Sequence, residues 1–542
     1  MHLWAGELMR AAVTRYRFGP ARAGGGQRGP RAWRLGLASA FLFLIVACAG
    51  GSPRPHEIGD NATTNLFATS YEAITDRYLD GVSLETIAIS GLNGLSTIDQ
   101  TVTVARIGNT VQASLRGQTI GSFPVPKSGD VRGWAVVTSD VIRVARNASV
   151  PIQTAREDAI YQAVFDAALA KLDGFSRYAG PDLAREERAR RVGFGGIGLR
   201  LHSIDGRIEV ETVMPDTPAA AAGIKPRDRI TQVDGLNIRN WDLKDVIDRL
   251  RGPINTRVSL TVERTDLVGV LTYHLTREKI VPQTVTSRID GRILEIKVTS
   301  FNQDTARNVT QHIVDAKQRL GGTLGGIVID LRDNPGGLLD QAVQMADRFL
   351  ASGTITSTRG RHPESFQHYD ATGTDIAAGI PIAVLVNGGT ASAAEVVASA
   401  LQDNGRAVVI GTNSYGKGTV QTVVHLPNDG ELILTWSRLV APSGYILNKL
   451  GVMPTLCTAG SKVNVASVLD YMKRRGSETQ ALLSRWQTVL APNFDGLDTL
   501  RSNCRPDKTV REIDNQVARS VLGDNSTYRQ ALALAPTDLA KR

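Results

Sequence analysis

Two residues in the second half of the chain have the types and settings that peptide hydrolysis needs. That reaction requires a nucleophile, a base that is neutral at the working pH, and hydrogen-bond donors for the developing oxyanion. Ser392 lies in VLVNGGTASAAEVVASALQDNG, where a predicted buried strand (382–386) passes through a Gly-Gly turn into a predicted helix. Its hydroxyl would lie at the mouth of a sheet, near the first N–H groups of the helix. A plainer interpretation is that Thr390 or Ser392 only caps that helix.

Lys417, 25 residues further along the chain, is the candidate base. It stands between Gly416 and Gly418 in YGKGTVQ, so little side-chain bulk surrounds its ammonium, although a lone GKG is typical of a solvated turn. To act near pH 7 to 8, the lysine pKa must fall from about 10.4 to about 7.5, which desolvation in an apolar pocket can achieve. YGKGTVQTVV contains no acidic residue that would oppose this, and Glu395 is expected to have a structural role.

The combination of NGGTASAAE, YGKGTVQ and LRDNPGG in an alternating strand and helix pattern resembles the carboxyl-terminal processing peptidases, also called tail-specific proteases. The similarity runs from about residue 150, where AKLDGFSRYAGP resembles a helix-end motif of that family, to GVMPT at 451–455. The resemblance implies that Ser392 is the nucleophile and Lys417 the general base. It also implies that Gln421, four residues after the lysine, orients the lysine.

The same resemblance implies the donors of the oxyanion hole and the fold. The donors would be the backbone N–H of Ala393 and that of Gly336 or Gly337, and the choice between the two glycines stays open. Thr390 stands where the family more often has serine, which should be harmless because the nucleophile is the later residue. The implied fold is α/β: a crotonase/ClpP-like protease core with an inserted β-rich PDZ domain. No cofactor is expected, and the absence of HExxH or clustered Cys/His spacing argues against a metal.

Residues 191–279 carry the resemblance to a PDZ domain of the kind inserted in bacterial proteases. The segments concerned are GFGGIGLRL, TPAAAAGIKPRDRITQVDG and LRGPINTRVSLTVER. Glycines allow consecutive backbone N–H groups to converge on a terminal carboxylate, and the following strand would offer an open edge to an extended peptide. A glycine cluster alone is more typical of an ordinary turn. The predicted peptide-binding residues are Gly196, Ile197, Gly198 and Leu199.

The beginning of the chain has the pattern of an export signal. Seven arginines and one glutamate precede the apolar segment LGLASAFLFLIVACAGG, which is shorter than the about 20 residues of a membrane-spanning helix. The residues before Cys48 resemble a bacterial lipobox, so Cys48 is the predicted lipidation site; a cleaved soluble protein and a buried or amphipathic helix are the alternatives. If Cys48 is acylated, Cys457 and Cys504 are the two thiols left, and the expected oxidising periplasm or cell envelope favours their pairing.

The composition and the segment patterns predict several regions in one exported chain. Of the net charge of +9, the first 34 residues supply 7 − 1 = +6, so the remainder has no nucleic-acid footprint. Residues 101–146 alternate like short strands, and residues 461–535 are mostly helical without visible chemistry. The predicted regions are a signal peptide (1–47), a linker (48–65), a mixed helical and strand cap (66–190), the PDZ domain (191–279), the protease core (280–458) and a helical C-terminal region (459–542).

Two rival functions remain open on the sequence alone. His312, His362, His368 and His425 lie in the core, so a Ser/His/Asp arrangement is possible by count, although no GxSxG segment occurs. A PDZ-containing periplasmic adaptor or sensor without catalysis is the second alternative, against which the presence of both Ser392 and Lys417 argues. The expected partners are protein substrates with unstructured C-terminal tails, the membrane through a lipid anchor, and a second copy or an adaptor, but no nucleic acid.

Overall fold

The computed structural model describes residues 56–460, 462–491 and 495–537, and the side chains of residues 56–60 are not described. The predicted signal peptide, Cys48 and the first part of the predicted linker therefore lie outside the described residues. None of the described helices is both long enough and apolar enough to cross a bilayer.

The N-terminal cap packs helices against an antiparallel meander around one apolar core, in which Phe67, Trp134 and Phe165 are fully buried. Leu432 and Leu434 of the protease core extend this cluster, so the cap is continuous with the core. The helices are α1 (His56–Arg77), α2 (Leu84–Asn93), α3 (Val131–Ala148), α4 (Val150–Thr154) and α5 (Glu157–Leu169), and the strands are β1 (Val102–Ile107), β2 (Thr110–Leu115) and β3 (Gln118–Pro124).

Two sequence predictions for the cap are wrong. The predicted linker is helical from His56, because Thr63 and Thr64 are small enough to be buried against the cap; the hydroxyl of Thr63 lies 2.8 Å from that of Tyr161. The predicted run of strands ends at Pro124, and residues 131–148 form α3 instead. The side chain of Asp130 caps this helix by accepting the N–H of Gly133 at 2.9 Å.

A neck of two short strands joins the inserted domain to the rest of the chain. It follows β4 (Arg177–Ala179) and α6 (Pro181–Val192), and it consists of β5 (Phe194–Gly196) paired with β12 (Glu278–Ile280). Helix α6 is anchored on the core because Arg188 and Arg191 donate to the fully buried carboxylate of Glu431 at 3.0 and 2.7 Å.

The inserted domain is a sheet with the strand order β11-β10-β8-β7-β6 and two helices. Strand β6 is at the edge of this sheet, and α8 packs beside it. The domain confirms the predicted β-rich insertion. Its elements are β6 (Leu199–Ile204), β7 (Arg207–Val213), α7 (Pro218–Ala221), β8 (Arg229–Val233), β9 (Leu236–Asn237), α8 (Leu243–Leu250), β10 (Arg257–Glu263) and β11 (Val270–Thr276).

The protease core contains a sheet with the order β13-β14-β15-β18-β19-β22, which is parallel from β14 to β22. A second sheet has the order β17-β16-β21-β20, and β4 adds to β21. The strands are β13 (Val285–Asp290), β14 (Ile293–Val298), β15 (Gly326–Asp330), β16 (Thr354–Gly360), β17 (Gln367–Asp370), β18 (Ile382–Val386), β19 (Val408–Gly411), β20 (Thr419–His425), β21 (Glu431–Val440) and β22 (Leu456–Cys457), and the helices are α9 (Thr305–Arg319), α10 (Leu339–Asp347) and α11 (Ala393–Asp403).

The C-terminal helices form the second layer over the main sheet. In β18, Ile382 and Val384 pack in the cluster with α9, α10 and α11, whereas Ala383 and Leu385 pack with Val517 of the C-terminal region. Because both faces of the parallel sheet are covered by helices, its central strands β18 and β19 are continuously apolar and buried. This architecture confirms the predicted α/β class with a helical C-terminal region. The helices are α12 (Val465–Trp486), α13 (Leu497–Ser502), α14 (Glu512–Leu522) and α15 (Asn525–Leu532).

Candidate active site

Ser392 occupies a strained turn between β18 and α11. Its φ of +55° and ψ of −121° lie outside the regions that a serine normally adopts, and such strain persists only where the surroundings enforce it. The hydroxyl of Thr390 donates to the carbonyl of Leu331 at 2.8 Å and accepts the N–H of Asn387 at 3.0 Å. Thr390 therefore fastens the turn to the end of β15, and the partly exposed Ser392 follows it.

Gly336 and Gly337 differ in what their backbone N–H groups do. The N–H of Gly336 donates to the side-chain oxygen of Asn334 at 2.8 Å. Within the described chain, the N–H groups of Gly337 and Ala393 donate to no other group. A side chain at either glycine would collide, with Ser392 Cβ at 2.8 Å for Gly336 and with the Phe301 carbonyl oxygen at 2.1 Å for Gly337. Of the two glycines, Gly337 is therefore the one whose N–H group is free to bind a ligand, while Gly336 is the one packed against Ser392.

Lys417 lies in a loop that is pressed against residues 448–451. A Cβ on Gly418 would lie 1.9 Å from the Asn448 nitrogen, and a Cβ on Gly416, at φ +89°, would lie 2.8 Å from the carbonyl carbon of Lys449. The glycines of YGKG therefore serve a close backbone approach, not a solvated turn. Lys417 is half-buried, and its Nζ lies 5.0 Å from the centre of the Phe175 ring.

Burial lowers the pKa of Lys417, and the cation of Arg177 lowers this pKa further. The carboxylates of Glu395 and Asp173 act in the opposite direction without reversing the net effect. The absence of acidic residues from YGKGTVQTVV does not leave Lys417 without a nearby acid. Glu395 and Asp173, from other parts of the sequence, lie close to it in the fold. The net direction is nevertheless the one that a lysine base requires.

Glu395 connects the backbones of the two candidate catalytic residues. Its fully buried carboxylate accepts the N–H of Ser392 at 2.7 Å and the N–H of Lys417 at 2.9 Å. It also accepts the N–H of Gly416 at 2.7 Å and the hydroxyl of Ser414 at 2.5 Å. Burial raises the pKa of Glu395, while these four donors favour its ionised form. A single side chain thus fixes the relation between residues 392 and 417.

The comparisons with known proteins agree with these features. The sequence profile of Peptidase family S41 matches residues 292–457, and a PDZ domain profile matches residues 209–264. The carboxy-terminal-processing protease of Bartonella bacilliformis is 39% identical over 290 residues, which are 53% of this chain and 67% of that protein. The chain belongs to peptidase family S41. It is therefore a serine-type peptidase with a PDZ domain, and the resemblance found in the sequence is confirmed.

Two further relatives of this S41 peptidase are similar over a comparable part of the chain. The carboxyl-terminal-processing protease of Picosynechococcus is 34% identical over 309 residues, 56% of this chain and 73% of that protein. The solved photosystem II D1 C-terminal processing protease is 28% identical, covers 57% of this chain and 87% of its own, and has a TM-score of 0.33.

Gln421 does not hydrogen-bond Lys417 in the described part of this S41 peptidase. Its amide nitrogen donates to the hydroxyls of Thr419 at 2.9 Å and Thr435 at 3.3 Å. The hydroxyl of Thr435 donates in turn to Asp173 at 3.2 Å. The orienting role of Gln421 therefore stays a prediction.

Asp173, Phe175 and Arg177 are site residues to which sequence reasoning gave no role. They come from AKLDGFSRYAGP, the helix-end motif, which carried the only available signal. Pairing of β4 with β21 brings this segment beside Lys417. Together with the loop at Gly416 it lines a cavity of about 700 Å³, whose other wall includes Arg501.

The predicted peptide-binding residues of the PDZ domain lie together where the neck meets the edge strand. Gly196 ends β5, Ile197 is buried, and Leu199 begins β6. Gly198 has a φ of +86°, and a Cβ there would lie 2.3 Å from the side chain of Thr217. The glycine at this position is therefore required by the fold of the domain.

The histidine and cysteine candidates in the described residues have partners other than Ser392. Among the described residues, no hydrogen bond joins Ser392 to a histidine; His312 pairs with the hydroxyl of Ser287 at 2.9 Å, and His368 with Asp370 at 3.0 Å. His362 caps a short turn and His425 lies near Glu431. No three His, Cys, Asp or Glu side chains of the described segments converge like metal ligands. Cys457 and Cys504 form a disulfide, with their Cα atoms 6.0 Å apart.

Proposed function

We propose that the chain cuts proteins near their C-termini with Ser392 as the nucleophile and Lys417 as the general base. The observation that carries this proposal is the buried Glu395 carboxylate, which binds the backbone N–H groups of both residues. Its donors come from Ser392 and from residues 414–417, so the serine turn and the lysine loop are held as one unit. Such fixed positioning is what an activated nucleophile needs.

The proposed reaction follows the acyl-enzyme path. Neutral Lys417 Nζ takes the proton of Ser392 Oγ while Oγ attacks the scissile carbonyl carbon, and the N–H groups of Ala393 and Gly337 stabilise the oxyanion. The protonated lysine then gives this proton to the leaving amine, and an acyl-serine remains. Water attacks the acyl group while Lys417 takes a proton from it. The lysine then gives this proton to Ser392 Oγ as the acyl–Oγ bond breaks, which releases a product with a new C-terminal carboxylate.

The PDZ domain is proposed to guide the substrate. Strand β6 is a sheet edge with α8 beside it, which suits the addition of an extended peptide as a further strand. The terminal carboxylate of an unstructured tail would bind at Gly196, Ile197 and Gly198, and Leu199 would pair with the backbone of the tail. Amidation of the C-terminus of a peptide substrate should raise KM sharply, and unchanged kinetics would contradict PDZ guidance.

The proposed location is the periplasm or cell envelope, with Cys48 as a lipid anchor. The apolar segment before Cys48 and the Cys457–Cys504 disulfide support an oxidising compartment. Metabolic labelling with a fatty acid should mark the wild-type chain and not Cys48→Ser. Sedimentation in detergent would show whether the chain works as a homodimer or with an adaptor.

The central experiment compares the wild-type chain with Ser392→Ala and Lys417→Ala on an unfolded protein substrate. Both variants should lose cleavage while binding the substrate tail as wild type does, and mass spectrometry of the wild-type products should map cuts near the C-terminus. Cleavage by Ser392→Ala at the wild-type rate would overturn the dyad. Equal survival of the substrate with all three proteins would favour the adaptor alternative.

A further inference from the structure

The segment 497–511, which we name the clamp segment, runs beside both catalytic loops although it lies beyond the residues matched by the S41 profile. On the serine side, the N–H of Gly388 donates to the carbonyl of Asp507 at 2.8 Å. The side chain of Asn387 donates to the carbonyl of Lys508 at 3.0 Å. The turn that leads to Ser392 is therefore supported from outside by the clamp segment.

On the lysine side, Arg501 makes the decisive contacts. Its guanidinium donates to the carbonyl of Ser414 at 2.9 Å and to that of Leu450. The side chain of Asn413 donates back to the carbonyl of Arg501 at 2.9 Å. Ser414 is the residue whose hydroxyl binds Glu395, so Arg501 joins the two loops that enclose Lys417.

The clamp segment has little apolar packing of its own. Of its side chains, Leu500 and Cys504 are buried, and the others are exposed or partly exposed. The disulfide from Cys504 to Cys457 ties the segment to β22 at the edge of the main sheet. Few buried apolar contacts mean a low cost of local opening, so the covalent link has a large share in keeping Arg501 in place.

We propose that Arg501 is a positioning residue for the base Lys417 and that the Cys457–Cys504 disulfide keeps Arg501 in position. This inference rests on the proposed function, in which Lys417 must be neutral. Asp173, Arg177 and Glu395 face Lys417 and remain when the clamp segment opens. The change that opening brings is water beside the lysine, which favours its protonated form. Fewer molecules would then hold a competent base at neutral pH.

The test measures kcat/KM against pH for the full chain, because its acid limb reports the pKa of the free base. Arg501→Gln and the double variant Cys457→Ser/Cys504→Ser should each lower kcat/KM at pH 7 on the order of 10- to 100-fold. Both should move the acid limb to higher pH by about 1 to 2 units, because each unit leaves about ten-fold less neutral lysine at a fixed pH below its pKa. Reduction of the wild-type disulfide with dithiothreitol should give the same shift, and reoxidation should reverse it.

Arg519→Gln is the matched control. Arg519 lies on α14 and forms ion pairs with Asp290 and Glu295 at the far edge of the sheet, so it tests the loss of an anchored arginine away from the site. Its acid limb should coincide with that of the wild-type protein. A shift in this control as large as that of Arg501→Gln would overturn a specific role of Arg501.

Deuterium exchange separates this inference from the catalytic proposal, because it needs no activity. The amides of residues 412–417 should exchange faster in Arg501→Gln and in the reduced protein, and should be unchanged in Arg519→Gln. If Arg501→Gln and the reduced protein show unchanged exchange and an unchanged acid limb while Ser392→Ala is inactive, the positioning role of Arg501 is wrong and the proposed Ser392/Lys417 dyad stands. If Ser392→Ala keeps its activity, the dyad fails, and the exchange rates alone decide about the clamp. Should Arg501→Gln not fold, the reduced wild-type protein decides.

Discussion

The surroundings of Ser392 and of Lys417 are built in different ways. Ser392 lies in a continuous strand, turn and helix, and its turn is fastened by Thr390 to the neighbouring strand β15. The environment of Lys417 is assembled from segments far apart in the sequence: residues 173–177, 448–451 and 501. The placement of Ser392 thus depends on local structure, whereas the pKa of Lys417 depends on tertiary packing. Glu395 links the two surroundings, because its carboxylate binds the backbone N–H groups of both Ser392 and Lys417.

The largest effect is expected for Glu395→Gln, because this substitution disturbs the hydrogen bonds to the backbones of both Ser392 and Lys417. The amide of glutamine has one acceptor oxygen, and its NH₂ group replaces the second oxygen of the carboxylate. At least one of the four groups that donate to Glu395 would therefore face this NH₂ group and lose its hydrogen bond. We expect kcat/KM to fall on the order of 100-fold, and the free energy of unfolding to fall by about 2–4 kcal/mol. Urea unfolding and progress curves measure the two effects.

The control for that variant is Glu478→Gln on α12, where the carboxylate is exposed and pairs with Arg475. Its activity and stability should remain within about 0.5 kcal/mol of wild type. Wild-type activity in Glu395→Gln would show that the link between the serine and lysine backbones is not needed for catalysis.

The next effect concerns the far end of α11, the helix that begins after Ser392. Asp403 is fully buried and accepts hydrogen bonds from Ser443 and Gln487. Burial raises the pKa of Asp403 from 3.8 to about 6 in the folded chain. The unfolded chain releases this proton first, so folding loses about 2 kcal/mol from this group as the pH rises from 4 to 7.

Asp403→Asn should remove that part of the pH dependence of stability, and the pH dependence of kcat/KM should keep its shape. The measurement is urea unfolding at several pH values between 4 and 7 for both proteins. Parallel curves for the two proteins would contradict the raised pKa of Asp403.

This contrast explains which parts of the site the sequence predicts. The setting of Ser392 follows from a contiguous pattern, and so do the strands and helices of the core. The choice between Gly336 and Gly337 does not, because it depends on the side chain of Asn334 binding one of the two N–H groups. Likewise, no pattern near YGKGTVQ reveals that Asp173 and Arg177 lie beside the lysine.

Longer-range packing also explains the other differences from the sequence predictions. The predicted linker is helical from His56, because small threonines that look like a polar tether fit against the cap. The sequence pattern assigns no chemistry to the C-terminal region, yet its clamp segment contacts the loops that precede Ser392 and Lys417. In both regions the polar groups have tertiary partners that periodicity does not indicate.

A smaller effect is expected for Thr390→Val, which changes only the turn that precedes Ser392. The valine keeps the shape of the side chain and loses the hydroxyl that binds Leu331 and Asn387, which leaves two buried backbone groups without this partner. The free energy of unfolding should fall by about 1–3 kcal/mol. Thr390→Ser retains the hydroxyl and should restore most of the loss in a urea titration. Equal losses in both variants would assign the effect to packing of the methyl group.

The smallest effect is expected for substitutions that change only the charges near Lys417. Arg177→Gln removes a cation that lowers the pKa of Lys417, so the acid limb of kcat/KM should move to higher pH and the rate at pH 7 should fall about three-fold. Asp173→Asn removes an anion that raises this pKa, so its acid limb should move to lower pH.

Glu187→Gln is the control, because it breaks the 2.8 Å ion pair of Arg177 while keeping the arginine. It should leave the acid limb in place. Shifts in the same direction for Arg177→Gln and Asp173→Asn would mean that disturbed packing, and not charge, sets the pKa of the base.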